Sequence, residues 1–267
     1  MDEHTFNNNG VILNYYTTGE GKDNIFIQHG FSDSALVWER LAKDLGKKYR
    51  TVLMDARGHG YSSKPSSGYD VITMADDIKA LILYLELENM VMIGQSMGGC
   101  LITRLAARYP ELIKGLILID PPFSNVKKDL GDIEKGIAER IKEIQTFKKI
   151  GKERLISHIR SHHPNWEKSI YEPNAQGKLL MSINAVEIIK AIEMWDWKSD
   201  LGRIRCPVLL VTGDIEKSAI ISGELSTIIK DTFNNVEVVH IVGAGHNIER
   251  DMYKDLMDRI EQFLYQL

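Results

Sequence analysis

The chain has 267 residues, of which 43% are hydrophobic and 26% charged, and a net charge of −4. That balance fits one sizeable α/β domain with an insertion, and the absence of a concentrated basic patch argues against nucleic acid as a partner. No apolar stretch is long enough to span a bilayer. The polar, acidic start Met1-Asp2-Glu3-His4 lacks the layout of a secretory signal, so a cytoplasmic protein without membrane contact is expected.

Thr5-Phe6 and Val11 to Tyr15 flank Asn9-Gly10, a strong hairpin signal. Ile25-Phe26-Ile27 is a short apolar strand that runs into Gln28-His29-Gly30-Phe31. A helix is expected from about Ala35 to Leu45, capped by Ser32, Asp33 or Ser34. The glycine at 30 suits a backbone that must approach a substrate, and His29 reads as a structural residue pinning this loop. The next strand begins near Arg50. Val71 to Leu85 follows as a helix with Met74, Ile78, Leu81, Ile82 and Leu85 on one face.

Val91-Met92-Ile93 is a strand that turns into Gly94-Gln95-Ser96-Met97-Gly98-Gly99, and a helical pattern continues to Tyr109. A strand that turns directly into a helix strains the residue at its apex. It also crowds the positions two before and two after it, which here are Gly94 and Gly98. Ser96 is therefore read as a nucleophile presented at the end of the sheet. The backbone N–H groups of Met97 and Phe31 are read as an oxyanion hole, and one such donor is typically worth about a hundred- to a thousand-fold in rate.

The alternation of strands and helices at Ile25, Arg50, Val91, Leu116, Val208 and Val236 argues for a parallel sheet with crossover helices. Two acids end apolar strands. Asp120 follows Leu116 to Ile119, and Asp214 follows Val208 to Thr212. Asp214 is preferred as the acid that orients a base, because Asp120 precedes Pro121-Pro122 and suits the opening of an excursion from the sheet. Val236 to Val242 then leads to His246 between small residues, which is read as the general base. His240, inside the strand pattern, is read as packed or surface-exposed.

Between Phe123 and Asp200 the strand rhythm stops and the composition becomes helical and charged, as in Ile133 to Lys149. The expected organisation is a core of residues 1–122 and 201–267 with a helical cap at 123–200. Ile137, Ile141, Ile144, Phe147 and Ile150 read mainly as packing, and Trp195 is a candidate pocket wall. His158 and His162 stand one helical turn apart, but a closed metal site needs more ligands, so no metal is assigned. The two cysteines, Cys100 and Cys206, lack metal-ligand spacing, and no disulfide is expected.

With Ser96, Asp214 and His246 in that order, the chain resembles the α/β-hydrolase superfamily over nearly its whole length. Asp55-Ala56-Arg57-Gly58-His59-Gly60-Tyr61-Ser62 resembles the family's loop after its fourth strand, which makes Arg57 and His59 structural. The resemblance implies a mostly parallel eight-stranded sheet flanked by helices, with the cap inserted after the sixth strand. Relatives that open epoxides or remove halide use aspartate at the elbow, so Ser96 points to acyl transfer. His29-Gly30-Phe31-Ser32-Asp33 departs from the His-Gly-Gly-Pro-Gly loop of the proline-peptidase branch.

The expected function is hydrolysis of a small to medium carboxylic ester or lactone through an acyl-enzyme on Ser96, without a cofactor. The small-molecule acyl substrate is the only partner expected, and the oligomeric state, monomer or homodimer, stays open. A carbon–carbon bond hydrolase or a cofactor-free haloperoxidase-like enzyme would use the same triad. A triad-bearing small-molecule receptor is the reading from a different class.

Overall fold

A computed structural model describes residues 1–267. Its elements run β1 (Asp2–Asn8), β2 (Val11–Thr18), β3 (Asn24–Gln28), α1 (Glu39–Leu45), β4 (Arg50–Met54), α2 (Val71–Tyr84), β5 (Met90–Gln95), α3 (Met97–Arg108) and β6 (Ile113–Ile119). Then come α4 (Leu130–Ile150), α5 (Lys152–His162), α6 (Lys168–Leu180), α7 (Glu187–Glu193) and α8 (Trp197–Leu201). The chain closes with β7 (Val208–Thr212), α9 (Gly223–Thr232), β8 (Val236–His240), α10 (Ile248–Asp251) and α11 (Tyr253–Gln266).

All eight strands form one sheet in the order β1-β2-β4-β3-β5-β6-β7-β8. The β1–β2 and β2–β4 pairs are antiparallel and the rest are parallel. The hairpin between β1 and β2 turns through Asn9 (φ 50°) and Gly10 (φ 90°), the two positive dihedrals that a tight primed turn needs.

The central strands read as continuous apolar runs because both faces are covered. Side chains alternate between the two faces. Met90 and Met92, Leu116 and Leu118, and Val208 and Leu210 enter one core, with Ile78 of α2, Leu101 of α3 and Ile229 of α9. Val91 and Ile93, Ile117 and Ile119, and Leu209 and Val211 enter the other, with Leu41 of α1 and Leu256 and Ile260 of α11.

Helix boundaries follow local chemistry. Asp70 caps α2 by accepting from the N–H groups of Ile72 and Thr73. The expected helix from Ala35 begins as a 3-10 turn over Ala35–Trp38 and continues as α1. Ser34 holds the N-cap position, but its side chain makes no capping bond. Asp55, from the loop after β4, accepts from Ala35 N at 2.7 Å instead. The helical end of the chain is interrupted at Met252, which divides α10 from α11.

The excursion between β6 and β7 is helical throughout, α4 to α8. It has a small core of its own, built from Leu155, Ile159, Trp166, Ile170, Tyr171 and Ala175. Ile144 is buried against the main core, Ile137 and Ile141 pack beside it, and Phe147 and Ile150 lean on the smaller one. The excursion touches the carboxyl ends of three strands. Asn174 Nδ2 donates to Asp33 Oδ1 after β3 (3.0 Å), Ser182 N to the Gly58 carbonyl after β4 (2.7 Å), and Trp166 Nε1 to Asp251 Oδ1 after β8 (2.7 Å). It therefore covers the edge of a parallel sheet where ligand sites gather.

Candidate active site

Ser96 stands between β5 and α3 with φ 51° and ψ −120°, a conformation that a side-chain-bearing residue adopts only under constraint. The two glycines of the motif explain the constraint sterically. A Cβ on Gly94 would lie 2.6 Å from the Gly98 carbonyl oxygen, and one on Gly98 would lie 2.2 Å from that of Gln28. Ser96 N donates to the Ile119 carbonyl (3.0 Å), which ties the apex of the turn to the end of β6.

The loop that carries Phe31, an expected oxyanion donor, follows β3. His29 bridges it to the loop after β4: its Nδ1 meets the Gly30 carbonyl at 2.8 Å and its Nε2 accepts from Ala56 N at 3.0 Å. That is the structural role expected of it. No protein group accepts from Phe31 N, and Met97 N, first in α3, has no carbonyl one turn before it. Both N–H groups remain available to an incoming oxygen.

His246 reaches the site from the loop after β8. Its Nδ1 lies 2.7 Å from Asp120 Oδ2, and Asp120 is fully buried. An ionised carboxylate can only accept, so the proton sits on Nδ1 and Nε2 carries a lone pair. That is the tautomer a general base requires. Asp120 is itself anchored by Ile220 N (2.8 Å to Oδ2) and Ile221 N (3.0 Å to Oδ1). It too has a positive φ, 42°, so strain gathers at both Ser96 and Asp120.

This corrects the preference for Asp214 as the orienting acid. Asp214 accepts from Gly243 N (2.8 Å) and lies 3.0 Å from His240 Nε2. The Gly243 N–H, followed by His240, holds its carboxyl below the usual range. The physical reason lies in the loop after β7. After Asp214 the chain leans back across β6 and delivers the Ile220 and Ile221 N–H groups to Asp120. His240, paired in register with Thr212 on β7, captures Asp214 at the outer side. Asp214 N also donates to the Ala244 carbonyl (2.7 Å), so this residue braces the segment that carries His246.

His246 Nε2 is not engaged by Ser96. The Nε2 amino group of Gln95 lies 3.1 Å from it and also donates to the His246 carbonyl at 3.2 Å.

A family model of the α/β hydrolase fold matches residues 23–248. The chain belongs to the α/β-hydrolase fold family. Over 268 residues it is 29% identical to the AB hydrolase superfamily protein YisY of Bacillus subtilis (strain 168), covering 95% of both chains. It is 28% identical over 251 residues to a putative non-heme chloroperoxidase of Synechocystis sp. (strain ATCC 27184 / PCC 6803 / Kazusa), covering 89% of each. The crystal structure of E-2-(acetamidomethylene)succinate hydrolase superposes with a TM-score of 0.82 at 22% identity, over 98% of both chains.

The loop from Asp55 to Ser62, which carried part of the α/β-hydrolase resemblance, is structural here. Asp55 ties Ala35 N and Tyr61 N together (2.7 and 2.9 Å), and Arg57 forms a buried two-pronged ion pair with Asp77 of α2 (2.5 and 2.7 Å). His59 is fully buried, and burial together with the neighbouring His29 pushes its pKa down to about 3.

Trp195 belongs to the main core. Its ring is buried against Phe123 and its Nε1 donates to Asp200 Oδ2 (2.6 Å), beside Arg104. These contacts anchor the root of the helical excursion. In the three-histidine stretch, His162 Nδ1 bonds to the His158 carbonyl (2.9 Å) and His163 stacks on Trp166. Cys100 and Cys206 are both free thiols.

Two features had little signal in the sequence. Asp33 forms an ion pair with Arg250 and also accepts from Asn174, so one buried carboxylate links the loop after β3, the helical excursion and the segment after His246. Beside it, Glu249 is buried, and neither carboxyl oxygen has a hydrogen-bond partner. Only the adjacency of Glu249 and Arg250 to His246 could have drawn notice to them.

Proposed function

We propose that this α/β hydrolase cleaves a small to medium carboxylic ester or lactone through an acyl-enzyme on Ser96, with His246 as base and Asp120 as the acid that orients it. The observation that carries this reading is the 2.7 Å contact between Asp120 Oδ2 and His246 Nδ1, which leaves the Nε2 lone pair as proton acceptor. The strained presentation of Ser96 supports it as well.

In the proposed cycle the Ser96 hydroxyl attacks the substrate carbonyl and its proton passes to His246 Nε2. The oxyanion that forms accepts from Phe31 N and Met97 N. His246 returns the proton to the leaving alkoxide as the carbon–oxygen bond breaks, giving the acyl-enzyme and an alcohol. Water then repeats the sequence in reverse, and Ser96 leaves with its proton restored. Asp120 stays ionised and stabilises the imidazolium in each half. The side-chain chemistry is complete without a cofactor. The helical segment 123–200 serves in this reading as the cap that shapes the acyl site.

The test is a p-nitrophenyl ester series of rising acyl length on the wild type and Ser96→Ala. Turnover is expected to peak at short to medium chains and to fall by about a thousand-fold or more in the variant. A Ser96→Ala protein with near-normal turnover would overturn the reading.

A further inference from the structure

Gln95 closes β5, one residue before the nucleophile, and only 4% of its surface is exposed. Its carboxamide spans two functional loops. The amino end meets the Nε2 and the carbonyl of His246 (3.1 and 3.2 Å). The oxygen end lies against Gly30, where a Cβ would come within 2.1 Å of it. The orientation of the amide is fixed by chemistry. Both partners on His246 are acceptors once its proton is on Nδ1, and only an NH₂ group can serve two acceptors. Gly30 is then needed because a side chain there would displace Gln95.

An imidazole nitrogen offers one lone pair in the ring plane. A hydrogen bond from Gln95 and one from the Ser96 hydroxyl cannot both use it. We propose that Gln95 is a positioning residue that caps the resting base: it occupies the Nε2 lone pair of His246 and yields it to Ser96 for reaction, keeping its second bond on the His246 carbonyl. The proposal rests on Ser96 and His246 acting as nucleophile and base. Its consequence is that the hydroxyl competes with an amide for its own base.

Two variants separate capping from simple support. Gln95→Met keeps the length and removes the donor. Gln95→Glu puts an acceptor against Nε2, which it can engage only when that nitrogen carries a proton, so it withholds the base. The reaction to follow is phosphonylation by a p-nitrophenyl alkylphosphonate. Ser96 Oγ bonds to phosphorus, p-nitrophenolate leaves, and the serine proton moves to His246 Nε2. Nitrophenolate release gives the rate, and the intact mass with the modified peptide gives the site. Gln95→Met is expected to react roughly three- to tenfold faster than wild type, the release of one ordinary hydrogen bond, and Gln95→Glu more slowly. A residue that only supports the loop would slow both.

A second readout does not depend on the variants at position 95 folding. In protein labelled with ¹⁵N-histidine, the His246 Nε2 resonance is expected to be unchanged by Ser96→Ala, because serine is not its resting partner. A large shift in that variant would overturn the cap. A wild type labelled at Ser96 whose folded Gln95→Met variant is no faster also overturns the cap, and leaves the nucleophile standing. A wild type that takes up no phosphonate overturns the nucleophile and the cap together.

Discussion

Asp120 Oδ2 and His246 Nδ1 stand 2.7 Å apart although 126 residues separate them in the chain. The contact depends on two crossings. β6 ends where the loop after β7 can cover its terminal carboxylate with Ile220 N and Ile221 N. The loop after β8 then carries the imidazole inward past β7 to β6. A carboxylate held by two backbone donors and a ring nitrogen has little freedom to turn away, and this fixes both the tautomer and the plane of the imidazole.

Gly98→Ala should damage folding and activity together. The new methyl group would lie 2.2 Å from the Gln28 carbonyl oxygen and 2.7 Å from that of His29. Both obstacles are backbone, and both feed the loop that carries Phe31 N. Loss of one oxyanion donor lowers kcat by about a hundred- to a thousand-fold, so a drop in that range with a lower Tm is expected. Paired thermal melts and ester kinetics would show it, and an unaffected Tm would contradict the packing account.

Glu249 should make stability fall with rising pH. Burial pushes its carboxyl up to about 7, and Arg250 only partly opposes the shift. The folded-state pKa lies above the unfolded one, so the native chain binds the extra proton between them. Its stabilising contribution is complete below about pH 4.5 and is lost as pH rises through 7. The span corresponds to a loss on the order of 3 kcal/mol. Urea melts at pH 5 and pH 8 should show Glu249→Gln losing less stability over that interval than the wild type. Equal losses in the two proteins would contradict the assignment.

Trp195→Phe tests the anchoring role against the pocket-wall expectation. Phenylalanine keeps most of the packing against Phe123 and removes the Nε1 donor to Asp200. Loss of a hydrogen bond to a charged partner costs about 1.5–3 kcal/mol, so Tm should fall by several degrees while KM along an ester series stays within twofold. A KM that changes selectively with acyl length would return Trp195 to the pocket.

Much of this arrangement was legible in the sequence because it is local. The turn at Asn9-Gly10, the elbow around Ser96 and the alternation of apolar strands with amphipathic helices all follow from residues a few positions apart. The eight-stranded sheet and the membership in the α/β-hydrolase fold family follow from these. The choice between Asp120 and Asp214 was not legible, because both end apolar strands and are followed by irregular chain. What decides it is non-local: His240 captures Asp214 across a strand pair, and two N–H groups from the far side of the helical excursion anchor Asp120. The setting of Trp195 was not legible for the same reason. An aromatic residue in the excursion suits a pocket wall as well as an anchor until Asp200 and Phe123 are seen beside it. Gln95 is invisible in the elbow motif, where its position tolerates many residue types. Its meaning depends on the approach of Gly30 and His246.

The most direct measurement compares kcat for a short-chain p-nitrophenyl ester in Asp120→Asn and Asp214→Asn, with melts confirming that both fold. An asparagine at position 120 no longer carries the charge that stabilises the imidazolium and no longer enforces its tautomer, and a loss of about a thousand- to ten-thousand-fold is expected. The Asp214→Asn protein should retain kcat within about tenfold, since that residue only braces the loop before His246. The reverse ranking, with Asp214→Asn crippled and Asp120→Asn nearly unaffected, would contradict the account.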